Sequence, residues 1–293
     1  MLGFVLLSIH FICFNWPRVK LEVLSNSPPW RKESRVLLLA LKLTLVPLFL
    51  GILSLAGKRF GPSFAGWLAG LPVVVGPILF LLSLEQGASF ASRAAVLTLA
   101  SVSTVIAFGV AYAWAARLSH SQYGWVVATG CGLISWLVAA LIISRVPFNL
   151  SGAALLAIAS LLVAPILYPP QPTISAASKL PATELAARMA AGAALTLLVT
   201  GAAQTLGAAW SGIAALAPLL SPILAIFTHR RSGSAHAIAL FRGLVRGLYA
   251  LATFCFVLSW QIVEIGIARA FILAAIAALI VQGVTFFTRA SAD

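Results

Sequence analysis

Long apolar runs alternate with short polar or basic breaks along most of the chain. After residue 35, nine runs approach the ~20 residues that a helix needs to cross a bilayer. They cover roughly 36–56, 62–84, 92–116, 123–144, 150–168, 184–206, 209–228, 238–260 and 266–287. Each predicts a membrane-spanning helix, with Pro47 and Pro165 kinking the first and fifth. Residues 1–16 are apolar but short for a span, and they lack the small-residue cleavage site of a secretory signal. Residues 17–35 are polar and basic, so 1–35 is set apart as a leader.

Two of the runs are punctuated alike. Gly61, Gly66, Pro72 and Gly87 recur as Gly207, Gly212, Pro218 and Gly233 at one constant offset, and Lys42 recurs as Arg188. Pro77-Ile78-Leu79 recurs as Pro222-Ile223-Leu224 after a one-residue slip. The pattern predicts an internal duplication. Repeat 1 occupies 36–168, a Pro- and Ser-rich linker 169–181, and repeat 2 182–289. Proline removes a helical hydrogen bond, and in hydrocarbon the freed carbonyls need protein or a wet cavity to satisfy them. Paired Gly/Pro-interrupted segments in two halves therefore point to a transporter-like site. The competing account makes them ordinary kinked helices, with Gly66 and Gly70 present for close helix approach.

Five helices in repeat 1 and four in repeat 2 would set the second copy upside down relative to the first. Charge agrees with that expectation. Lys58 and Arg59 lie before the first broken segment, while the equivalent place near Gly207 is uncharged. After the broken segments the bias reverses, from Glu85 and Arg93 to His229, Arg230, Arg231, His236, Arg242 and Arg246. Because Lys and Arg accumulate in cytoplasmic loops, the loop at Arg230 and the C-terminus are expected in the cytoplasm. The leader's basic residues Arg18, Lys20, Arg31, Lys32 and Arg35 would then fall outside. Either the topology is reversed or residues 1–35 are not part of the mature protein, and the second is the expectation.

Composition supports the membrane assignment: 61% of residues are hydrophobic and 9% charged, against about a quarter charged in soluble domains. The net charge of +13 sits at the ends of apolar runs, where it meets lipid headgroups, and so does not indicate nucleic acid. Cys13, Cys131 and Cys255 are far apart and suggest neither a disulfide framework nor a metal knuckle. Neither a phosphate loop, a nucleophile motif nor a histidine metal set is present, so no enzymatic activity and no cofactor are expected.

The candidate solute site combines Pro72, Gly76 and Pro77 with Pro218, Ser221 and Pro222. Arg242 and Arg246 share a helix face and would be anion ligands if their helix starts near Ala235. If it starts near Gly243 they snorkel to the headgroups. Glu85 and Arg230 are gates or interfacial anchors, and Glu264 is a coupling carboxylate or a solvated loop acid. Trp114, Trp125, Trp210 and Trp260 fit an aromatic belt. A GxxxG pair at Gly243 and Gly247 offers a face to a second copy of the chain. The expectation is an all-α, nine-helix protein of the inner membrane that moves a small solute, anionic if the arginines at its cytoplasmic side serve to bind it. A non-transporting scaffold is the alternative, with a lipid-acting enzyme behind it.

Overall fold

A computed structural model describes residues 29–119, 121–170, 181–205, 218 and 220–290. The chain divides into two units, 1–39 and 40–293. Of the first, the described residues 29–39 form the opening turns of a helix. The packing set out below lies within the second.

Ten helices are described, and no strand among the described residues: α1 Pro29–Phe60, α2 Pro62–Ala69, α3 Val75–Gln86, α4 Ala88–Leu118 and α5 Gly124–Arg145, then α6 Leu150–Leu167, α7 Ala182–Thr205, α8 Leu220–Ser232, α9 Ser234–Gln261 and α10 Ile267–Ala290. Six are long and apolar enough to cross a membrane: α1 from Leu43, α4, α5, α6, α9, and α10 as far as Phe287. Several helices begin before the expected spans, among them α1 at Pro29, α4 at Ala88 and α9 at Ser234. Hydropathy marks where the apolar run starts, whereas helical hydrogen bonding continues into the polar flank.

The second expected span is two short helices. Gly70 ends α2, and residues 71–74 form turns before α3 resumes. Pro72 explains the break, since it has no N–H to donate and disfavours helical geometry in the residue before it. Pro77 is tolerated because it stands third in α3, where its N–H would have had no intrahelical partner. Pro222 stands third in α8 as well. Both helices end at a single-residue glycine corner: Gly87 has φ 87°, ψ 167° and Gly233 has φ 87°, ψ 173°. Only glycine occupies that backbone region at low cost.

The centre of the bundle is α4 against α9. Within the apolar 18-residue stretch of each span, 50% of α4 and 61% of α9 is buried, against 22% in α5, α6 and α10, which places the latter three at the periphery. The Ser92 hydroxyl, near the start of α4, donates to the Ser259 carbonyl near the end of α9 at 2.8 Å. Phe108, in the second half of α4, meets Phe241, in the first half of α9, with ring centroids 5.8 Å apart. The two helices therefore run antiparallel. Around them α5 packs on α4 and α10 on α9, α3 on α4 and α8 on α9, while α3 meets α10 and α8 meets α5.

A glycine seam joins α2 to α9, which run parallel. A Cβ on Gly66 would overlap the Leu240 carbonyl, and one on Gly70 the backbone of Gly247. From the other side, a Cβ on Gly243 would overlap the Ser63 carbonyl and one on Gly247 that of Trp67. The GxxxG face expected to be open to a second copy is thus filled by α2 of the same chain. Gly66 and Gly70 serve close helix approach.

Candidate functional site

At the first break, the backbone groups that proline and the turns release are largely taken up again. Gly76 N–H reaches the Pro72 carbonyl at 2.7 Å, and Leu71 N–H reaches that of Leu68 at 3.1 Å. The Trp67 carbonyl accepts from Gly70 N–H and, at 2.9 Å, from the side-chain amide of Gln282 on α10. Gln282 is 4% exposed, and its Oε1 has no hydrogen-bond partner. The Trp67 indole donates to Thr285 at 3.0 Å, so α10 is pinned to the end of α2 at two points. Gly76 packs on Phe254, and Pro72 and Pro77 are half-buried.

In the second broken segment, residues 206–217 lie outside the described residues. Pro218 is half-buried, and Ser221 and Pro222 are buried in the first turn of α8. That helix meets α2, α5, α7 and α9.

Arg242 and Arg246 lie inside the helix, because α9 starts at Ser234. Arg242 is committed. Its Nε and Nη2 donate to the Pro169 carbonyl at 3.1 and 2.7 Å, and Nη2 reaches that of Tyr168 at 3.3 Å, closing the end of α6. Arg246 is half-buried one turn further on, at the head of a half-buried strip with Tyr249 and Thr253 on a helix that is otherwise mostly interior. Glu85 is half-buried at the end of α3, and Glu264 is exposed in the turn after α9. Arg230 lies over the Trp125 ring at 5.0 Å, tying α8 to α5. Trp114 donates to the Leu167 carbonyl at 2.8 Å and, like Trp260, is largely exposed, whereas Trp210 lies outside the described residues.

The antiparallel order places Lys58, Arg59, Arg117, Arg188, Arg230 and Arg231 at one end of the bundle. The other end holds Glu85, Arg93, Arg145, Glu264 and Arg269. At the basic end, α1, α2, α7, α8 and α9 line a half-open cavity of about 50 Å³ that includes Ser54, Lys58, Arg188, Thr228, Arg231 and His236 in its wall. Arg188 is 6% exposed; its Nε and Nη2 bond Glu184 Oε1 at 3.2 and 2.6 Å, and Nη1 bonds the Ser54 hydroxyl at 3.3 Å. Arg231 Nη1 holds the other oxygen of Glu184 at 2.5 Å. Nearby, Tyr112 Oη and His229 Nδ1 are 3.1 Å apart.

Sequence reasoning passed over Glu184, Ser54, His236 and Gln282 as site residues. Glu184 and Arg188 carried a usable signal, an acid four residues before a base at the start of a membrane helix. Gln282 carried none, since its partner is a backbone carbonyl distant in sequence.

The six long apolar helices and the helical bundle define the class: an integral membrane protein. Beyond that class the comparisons are empty, for no family model, curated protein or solved structure matches the chain at a significant level.

Proposed function

We propose that the chain is a secondary transporter or exporter of a small, anionic solute. In this reading it has nine spans in two inverted repeats, α1–α6 and α7–α10, lies in the cytoplasmic membrane, and keeps its basic end and C-terminus inside. The observation that carries the proposal is the antiparallel packing of α4 on α9, the two helices that the sequence offset makes equivalent. Copies related without inversion would run parallel. Support comes from the matched corners at Gly87 and Gly233, the matched positions of Pro77 and Pro222, and the exchanged contacts α3–α10 and α8–α5.

Arg246 supplies the preference for an anion. It lies twelve residues into a 28-residue helix, about 18 Å along a length of about 42 Å. That depth is near the middle of a hydrocarbon core about 30 Å thick. An arginine there costs about 2.5–3.5 kcal/mol on insertion scales unless it is paired or meets water. The solute path is assigned past Arg246 and the two breaks, Pro72 to Pro77 and Pro218 to Pro222, with alternating access produced by one repeat rocking against the other. Purified protein should be screened against small organic and inorganic anions by thermal shift, and the hits taken to counterflow in proteoliposomes. Uptake above protein-free vesicles, lost in Arg246→Gln, is the expected result; a hit that is never transported would end the proposal.

The scaffold reading has one observation in its favour. The α2–α9 seam is backbone against backbone, leaving no room for a solute along that contact. It predicts no counterflow for any anion tested.

A further inference from the structure

We infer that the cavity at the basic end is a binding site for an oxyanion, a carboxylate or a phosphate, and that Glu184, which bridges two of its wall arginines, competes with the ligand for them. The site is independent of the transport reading, since a protein that moves nothing could still bind an anion there.

Side-chain donors share the wall with Leu53, Pro62, Ala65, Leu224 and Leu240. Arg188, Arg231 and Lys58 bring three cations to one cavity, and Ser54 and Thr228 add hydroxyls. Set against them is Glu184, whose two oxygens bridge Arg188 and Arg231 between α7 and α8. That is the arrangement an anionic ligand would adopt, with one oxygen to each guanidinium. A guanidinium has five N–H donors, and three of those on Arg188 are assigned, to Glu184 and Ser54. Arg188 is also fixed over the Phe227 ring at 5.5 Å, so its charge is held in place rather than swung to the headgroups. Its side chain is 7% exposed, whereas that of Arg231 is 29% exposed. Arg231 is therefore the more accessible half of the clamp, the one an incoming oxyanion meets first. At about 50 Å³ the cavity has room for a few waters or a small oxyanion.

Two sources carry this chemistry, a soluble anion and the phosphate of a lipid headgroup. The test uses full-length protein carrying Arg246→Gln, which removes the mid-membrane arginine from the readout. Delipidated protein in a neutral detergent is titrated calorimetrically with inorganic phosphate and with succinate at constant ionic strength. The same protein is melted in nanodiscs of phosphatidylcholine with and without phosphatidylglycerol. Loss of a charge-assisted hydrogen bond means that Arg231→Gln should weaken binding at least about tenfold, and Glu184→Gln should tighten it by a similar factor. Glu184→Gln leaves Arg188 buried without its counter-ion and is open to misfolding, so Arg231→Gln is the deciding variant. Phosphate or succinate binding that Arg231→Gln weakens identifies a soluble ligand. Stabilisation by phosphatidylglycerol alone, again lost in Arg231→Gln, identifies a headgroup. Binding in neither arm, or binding that Arg231→Gln leaves unchanged, overturns the assignment.

Discussion

Replacing Gly66 or Gly70 with alanine tests the seam between α2 and α9. At both positions the added Cβ would overlap backbone atoms of α9, the Leu240 carbonyl and the Gly247 main chain. Backbone cannot rotate aside as a side chain does, so α2 must move away by roughly 1 Å or more to restore contact distance. Overpacking of this kind costs about 1–3 kcal/mol, of which, at Gly66 inside the helix, the better helix propensity of alanine returns up to about 1 kcal/mol. Gly130 and Gly283 are internal controls. A Cβ on either meets nothing within 4 Å, so only the propensity gain remains. Seam and control variants should therefore differ by about 2 kcal/mol, or about 4–8 °C in melting temperature for a chain of this size. A thiol-reactive dye suits the measurement, because Cys255 is fully buried on α9 and becomes reactive only when the centre opens. Cys13→Ser and Cys131→Ser remove the other two thiols. Seam variants that melt within about 2 °C of the controls would refute the packing argument.

The two corners should respond alike: Gly87→Ala and Gly233→Ala each force a side chain into a region that only glycine occupies readily, and each should cost about 1–3 kcal/mol by the same dye assay. A cost at one corner alone would argue against equivalent repeats. Orientation is open to labelling with a membrane-impermeant maleimide in intact cells. Ser89→Cys, at the start of α4, should label at once, and Gln122→Cys, beyond its other end, only after permeabilisation. The opposite pattern would place the basic end outside.

Much of the architecture was legible in the residues because lipid imposes a simple rule. Backbone groups must be satisfied within the segment, so a long apolar run has few options besides a helix. The positions of α4, α5, α6, α9 and α10 follow from that rule, as does the gathering of Lys58, Arg117, Arg230 and Arg231 at one end. The second span shows its limit. Pro72 announced a break, but that Gln282 on α10 would bond the Trp67 carbonyl there depends on how distant helices pack.

Local chemistry was likewise written along the chain, while its use was settled by packing. The GxxxG pair at Gly243 and Gly247 specifies a close helix contact, yet only the tertiary structure gives that contact to α2 rather than to another chain. Arg242 and Arg246 share one face by spacing alone. Where α9 begins and where α6 ends divide them, one closing a helix terminus and one left deep in the span. Spacing along a helix fixes which side chains are neighbours on its surface. Partners from elsewhere in the chain decide what charges such as those on Arg188 and Arg231 meet, and they arrive only when the bundle closes.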